Sequence, residues 1–509
     1  MPYRLRPLVG LAAVTGLVGL SAAQAQDPPQ DQPQSARAIV ERAAEAMGGR
    51  ARLQNLDNFI YTGFGQYVYQ GGGGLVTGDP NAPPKWQAVH DAQRSFDLRN
   101  RRALNQDRRG FLFPFAATFG YSWNRSNTVQ TGVAMLDHPL PAVLAALDPA
   151  TELGPVTTED GRQVVEFTIE DGDTLWIAVD PLTYLPYWVR WISPSATLGE
   201  VTNTTYFTGY LPYDDVWLPI GLKSAIDWRD TVTMMFQVDS YRVNVEDIPE
   251  FPAGGAGAGF GAGGGGPEVV VRDVADGIWD LRVGEDGSGG AVVEFDDHLV
   301  MFEAYGSEAA ALARIDAANR LVPGKAVTAV IVSHHHFDHS GGLRAAVSRG
   351  LQVISHRGNR QIFEEMVSRP APNFPDALAR NPQRLDFVPV DEHLMLEDGT
   401  NRVDVYHVVG HAHMANGVFA YAPRQRVFME GDFTTYNWDF HWWGGAYLDN
   451  VDRYELNPAV NVPVHGRVTS FEEAIAAIEE QVQRAGEFCA SKVDAGVFLP
   501  GCPVQYSRD

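Results

Sequence analysis

Four side chains able to bind a metal ion fall within six residues: His334, His336, Asp338 and His339, in the run Ser333-His334-His335-His336-Phe337-Asp338-His339-Ser340-Gly341-Gly342. Imidazole nitrogen and carboxylate oxygen together suit one or two zinc ions. The run follows residues 327–332, which are apolar and mostly β-branched and read as a buried strand. If the backbone stays extended past that strand, His334 and His336 project to one side and His335 to the other. Ser340-Gly341-Gly342 would then turn the chain into a helix. A loop that merely happened to be rich in histidine would need neither the strand before it nor the glycines after it.

Those residues alone do not close a site. Three later positions can complete it: Gly410-His411-Ala412-His413 after a strand pattern at 403–408, Glu430-Gly431-Asp432 after one at 426–429, and Val464-His465-Gly466 at the end of an apolar run. Each candidate stands where a strand ends and a loop begins, which is the edge of layered α/β folds where sites collect. Beyond Asp432 the chain is dense in aromatics. Tyr436, Trp438, His441, Trp442 and Trp443 could form a pocket lip for an apolar or aromatic substrate, and His411 could join them; the alternative is a loop packed on its own domain. Arg357, Arg360 and residues 370–375 could edge the same site. His298, His356, His393 and His407 read as surface or packed residues.

The elements that must position these groups lie in the second half of the chain. Strand patterns at 269–271, 278–281, 291–295 and 299–302 lead to a helix over 307–321, capped by Ser307. Strands then alternate with helices to a last helix at about 471–484, a βαβ rhythm flanked by early hairpins. The first half reads differently. A helix over 35–49 presents Ile39, Val40, Ala43 and Met47 on one face. Strand after strand then follows to about residue 245, separated by turn signals such as Asp180-Pro181. This predicts an antiparallel sheet with a helix against it and no catalytic constellation of its own. Residues 253–266 are nearly all glycine and alanine and read as a flexible tether. Of 14 histidines, only His90 and His138 precede it.

A chain of 509 residues calls for two or three domains. Its net charge of −24 argues against nucleic acid or an anionic membrane surface as the main partner, leaving a small-molecule substrate, apolar or acyl-containing among the options. Arg4 and Arg6, the apolar stretch 8–20 and Ala23-Gln24-Ala25 have the pattern of a cleaved export leader ending at residue 25. No other stretch is long and apolar enough to span a bilayer, so the expected location is periplasmic or secreted. Cys489 and Cys502, the only two cysteines, can pair in an oxidising compartment or remain as thiols. The expected divisions are a leader at 1–25, a disordered linker at 26–35, a β domain at 36–252, the tether at 253–267, a metal-binding domain at 268–485 and a cysteine-bearing tail at 486–509.

Taken in order, the four motifs resemble those of the metallo-β-lactamase superfamily of metallohydrolases, over about residues 268–485. That resemblance implies an αββα sandwich and a dinuclear zinc site. It implies that His334, His336 and His413 hold the first metal and that Asp338, His339 and His465 hold the second, with Asp432 bridging. His413 is preferred to His411 by its distance to residues 418–423, leaving His411 beside the site. Asp432, where one subclass of antibiotic-hydrolysing members has cysteine, sets this chain apart from that subclass. The implied activity is attack of a metal-bound hydroxide on an ester, lactone, thioester, amide (β-lactams included) or phosphoester, with Asp338 orienting the nucleophile or shuttling its proton. Similar ligand sets hold iron in oxidoreductases of the same superfamily. A carrier or binding protein with a vestigial metal domain is the remaining alternative. The first half resembles the lipoprotein-carrier-like half-barrels of periplasmic proteins, in the helix ending Met47-Gly48-Gly49 and the turn at 180–186. The expected class is therefore multidomain α+β: an antiparallel half-barrel sheet with a helix, then an αββα sandwich.

Overall fold

A computed structural model of the protein describes residues 35–111, 126–252, 267–284, 287–433 and 444–494. The leader, most of the glycine–alanine tether, Tyr436, Trp438, His441, Trp442, Trp443 and Cys502 lie outside the described residues. The described residues from Ala36 onward cluster as one compact unit. Among the described residues, no helix is long and apolar enough to cross a membrane.

The first helix, α1 (Ala36–Ala46), stops just before Gly48 and Gly49, whose φ angles of 127° and 101° are open to glycine at little cost. Its apolar face, Ile39, Val40 and Ala43, packs with Leu140, Val143 and Leu147 of the helix Pro139–Leu147 against one antiparallel sheet, of twelve strands among the described residues. Alternate residues of each strand point inward, as in Val165 and Phe167 or Leu175, Ile177 and Val179, and all five are essentially unexposed. Burying side chains of this size contributes roughly 1.5–3 kcal/mol each. Most strands pair with a neighbour in sequence. The longest-range exception joins the sheet's two wings: β1 (Asn58–Val68) lies between β2 (Trp86–Asp97) and the last strand of this sheet, Thr231–Val243.

The second half is an αββα sandwich. A seven-stranded sheet runs from Val269–Ala275 to Phe387–Val390, antiparallel at first and parallel from His298–Phe302 onward. A six-stranded sheet runs from His393–Glu397 to Thr469–Ser470. Between them lies an apolar layer: Ile278, Val293, Val300, Phe302 and Ile331 meet Val403, Val405, Val418, Met429 and Val462. Helices Glu308–Ala318, Leu343–Ser348 and Arg360–Ser368 cover the outer side of the first sheet, and Gly444–Arg453 and Phe471–Asp494 that of the second. The last helix runs ten residues beyond the expected end at 484.

The two halves share a core. Leu198, Val201 and Trp228 of the twelve-stranded part pack with Ile362, Phe363 and Met366. At the rim of that seam Trp228 Nε1 donates to Glu365 at 2.9 Å, Arg229 pairs with Glu365 at 2.7 Å and Arg369 with Asp227 at 2.9 Å.

Candidate metal centre

Parallel pairing brings the candidate residues to one edge. The strand Ala326–Ile331 lies parallel to both His298–Phe302 and Gln352–His356, so its C-terminal end, and the His334 run that follows, emerges beside Glu303. In the other sheet Val427–Glu430 lies parallel to Val460–Pro463, so Asp432 and His465 leave their strands side by side. Val418 N donates to Ser333 O at 2.7 Å, tying the two sheets together at this edge. Gly431 is required there: a Cβ on it would stand 2.5 Å from Ser333 Oγ.

The geometry sorts the donors into two groups, His334, His336, His413 and Asp432 in one and Asp338, His339 and His465 in the other, with the donor atoms of each within 4.8 Å of one another. Asp432 faces both. Its Oδ2 is 2.6 Å from His413 Nε2 and 3.5 Å from His334 Nε2; its Oδ1 is 3.0 Å from His339 Nε2 and 3.2 Å from His465 Nε2. Across the groups' own diameters, His336 Nδ1 lies 3.1 Å from His413 Nε2, and His339 Nε2 lies 3.2 Å from His465 Nε2. His335 is buried with its ring edge-on to His334 and His336 and belongs to neither group.

Each imidazole turns one nitrogen inward and has the other against an outer partner. His334 Nδ1 meets Ser333 Oγ at 2.9 Å, His336 Nε2 meets Leu75 O at 2.7 Å and His339 Nδ1 meets Glu303 Oε2 at 3.1 Å. His413 Nδ1 is 3.3 Å from Lys85 Nζ, and His465 Nδ1 is 3.4 Å from Ser288 Oγ. Outer partners of this kind fix ring orientation and basicity at metal sites. Inward, the buried His334 Nε2 faces only other donors of its group, with Asp432 Oδ2 at 3.5 Å, and Asp432 Oδ1 faces the His339 and His465 rings. Imidazole nitrogens and a carboxylate gathered this closely in a buried place suit a cation between them. Nitrogen and carboxylate donors without sulfur fit zinc, and equally iron.

Electrostatics separates the groups. Burial, with the charge on neighbouring His339, pulls His334 below the ordinary imidazole range. Burial and then Lys85 do the same to His336, and bring His413 down to about 3. These rings are neutral at pH 7, the form a metal needs. Burial also opposes charge on His339 and His465, but Asp432 and Asp338 outweigh it, raising His339 well above its usual value and His465 to about 9. Asp432 is itself held far below the usual carboxylate range, because His339, His413 and His465 overcome its burial. The first group is closed to solvent. Asp338 and His465 in the second keep side-chain exposures of 31% and 29%, marking its more open side.

The turn bearing His465 is clamped from below. Arg282, buried with Asp280 at 2.6 Å, donates to the carbonyls of Pro463 at 3.2 Å and of Gly466. His411 takes no place in either donor group. Its Nδ1 accepts from the backbone N–H groups of His413 and Met414, shaping the loop that delivers His413, and its ring stands edge-on to Phe433. Arg357 and Arg360 pair with Asp391 and Glu364. His356 stacks on His407, His298 meets Asp297 and His393 meets Asp404.

Sequence reasoning found no site residue in the first half, and there the structure differs. Gln70, Leu75 and Lys85, all in the connection between β1 and β2, touch Asp338, His336 and His413. Lys85 is fully buried, and burial, opposed by Asp432 and Asp338, brings its ammonium down to about 7. Glu303 was also missed; its only signal is an acid at the end of an apolar strand.

The family model of the metallo-beta-lactamase superfamily matches residues 290–437. No curated protein matches the chain. Similar solved structures include a metallo-beta-lactamase from Pontibacter korlensis, 16% identical over 42% of this chain and 99% of that one, with a TM-score of 0.33. Another is DIM-1 metallo-beta-lactamase, 14% identical over 43% and 98%, TM-score 0.34. A third is the metallo-beta-lactamase FIM-1 from Pseudomonas aeruginosa in its mono-zinc form, 16% identical over 42% and 95%, TM-score 0.33. The C-terminal region of this chain is a metallo-beta-lactamase superfamily domain.

Proposed function

We propose that the protein is an exported metallohydrolase with a dinuclear site, cleaving an ester, lactone, thioester, amide (β-lactams included) or phosphoester bond of a small, apolar or acyl-bearing substrate. His334, His336 and His413 would hold one ion, Asp338, His339 and His465 the other, and Asp432 both. The observation that carries this reading is the division of Asp432's two oxygens between the two donor groups. Zinc bound there would supply Lewis acidity, lowering the pKa of water from 15.7 to about 7. Glu303, Ser333 and Ser288 orient the rings. Asp338, partly open to solvent, would take a proton from the attacking water and pass it to a leaving group. The more open side beside Asp338 and His465 is where substrate would enter. Export rests on the leader pattern at 1–25.

The test is metal analysis of the purified protein, followed by a hydrolysis screen against ester, lactone, β-lactam, thioester and phosphodiester panels. About two zinc ions per chain and turnover that a chelator abolishes are expected. A protein that refuses zinc, or one that carries iron and consumes oxygen without hydrolysing any panel, sinks the proposal.

A further inference from the structure

We infer that the β1–β2 connection of the first half is a working part of the metal centre, with Gln70 as a positioning residue for Asp338. The inference rests on the dinuclear reading above. Gln70 is bonded at both ends of its amide. Its Oε1 accepts from the backbone N–H of Phe337 at 2.7 Å, and its Nε2 donates to Asp338 Oδ1 at 2.7 Å. That leaves Asp338 Oδ2 facing His465 Nε2 at 3.4 Å and His339 Nε2 at 3.6 Å, where the second ion would be held. A carboxylate with one oxygen fixed by a donor has its other oxygen fixed too.

The backbone is bent to allow this. Gln70 takes φ 50° and ψ 42°, a left-handed conformation uncommon for residues other than glycine, and Gly71 continues it at φ 61°. Such a conformation persists where surrounding bonds over-determine it. Gly73 lets the connection lie directly on the metal loop, since a Cβ there would sit 2.1 Å from the Phe337 ring. Further contacts pin the connection along both metal loops: Leu75 O to His336 Nε2 at 2.7 Å, Ala415 N to Val76 O at 2.8 Å and Lys85 Nζ to His413 O at 3.3 Å. Tyr69 N donates to Lys85 O at 2.8 Å and closes the base of the loop on the twelve-stranded sheet. The first half thus holds the second half's centre in register, and metal affinity depends on both.

Two substitutions in the full chain separate positioning from mere anchoring. Gln70→Leu removes both bonds. Gln70→Glu keeps the acceptor for Phe337 N–H but loses the donor to Asp338. Zinc-loaded wild type and variants are dialysed against graded chelator and the zinc per chain is counted. For both variants the weaker-held ion should be lost at roughly 10–100-fold lower chelator strength, the usual effect of removing an outer partner, while the tighter ion and the circular dichroism stay as in wild type. Arg229→Ala serves as the comparison, because it loosens the same connection at Gly78 and the seam at Glu365 without touching Asp338. The inference is overturned if Gln70→Glu retains both ions like wild type, or if Arg229→Ala reproduces its loss. Wild type holding fewer than two ions would instead overturn the dinuclear reading itself, and this inference with it.

Discussion

The two halves each bury a histidine among charged and aromatic groups, and they do opposite things with it. In the first half His138 is fully buried, and both its ring nitrogens are used locally: Nδ1 accepts from Leu140 N at 3.3 Å and Nε2 meets Tyr241 OH at 3.1 Å. Beside it Arg94 pairs with Asp137 at 2.6 Å, and Phe59, Tyr61 and Phe96 wall the cluster in. In the second half His334 has one nitrogen bonded outward and the other turned towards the three other donors of its group, His336, His413 and Asp432. A buried histidine with both ring nitrogens bonded to its own half belongs to the fold. A cluster whose outer atoms are bonded to the fold while several imidazole nitrogens and a carboxylate converge on its inside belongs to a ligand.

The sharpest way to break that contrast is to cut each cluster once. Asp432→Ala should abolish binding of the ion pair and reduce any hydrolysis by more than the 10–100-fold that loss of an outer partner costs, as seen by metal analysis and turnover. His138→Ala should leave the metal count at wild-type level and lower stability by about 1–3 kcal/mol in urea unfolding, by leaving buried hydrogen-bonding groups unpaired. If His138→Ala also strips the metal, the contrast is false. Next in size, Asp280→Ala should cost about 3–5 kcal/mol, because Arg282 would be left buried and unpaired beneath the His465 turn. Weaker metal retention should accompany it. Glu365→Ala, at the half-exposed seam, should cost only about 1 kcal/mol and leave the metal count unchanged.

The smallest effect concerns acid. Burial first and Arg94 second hold His138 well below the ordinary imidazole value of about 6.5, so the unfolded chain takes up this proton before the folded one does. Its contribution is fully present above about pH 6.5 and shrinks as pH falls below that. Urea midpoints measured from pH 7 to 5 on chelator-treated protein should fall less steeply for His138→Gln than for wild type. Equal slopes would show that His138 does not titrate on unfolding.

The candidate centre was legible wherever its chemistry is local. Four donors within six residues, preceded by a strand and followed by glycines, need no knowledge of the rest of the chain. His413, Asp432 and His465 could be picked out because strand ends announce themselves in periodicity. Gln70 and Lys85 could not. They stand 268 and 328 residues from the side chains they touch, and a glutamine before a glycine run carries no pattern that separates a contact from a turn. The strands of the first half were legible as alternation, whereas the pairing of β1 with the last strand, which aims the connection at the metal loops, is a long-range outcome of closing the sheet.

Two of the connection's contacts, at Leu75 and Val76, are made by carbonyl oxygens, which every amino acid carries. Evolution can therefore exchange those side chains for others of similar bulk at little consequence, provided the path of the chain is kept. Positions 70, 73 and 85 have no such freedom, since one needs an amide, one no side chain and one a long amine. Divergent relatives that retain this architecture should vary along the segment in alternating patches of drift and restraint.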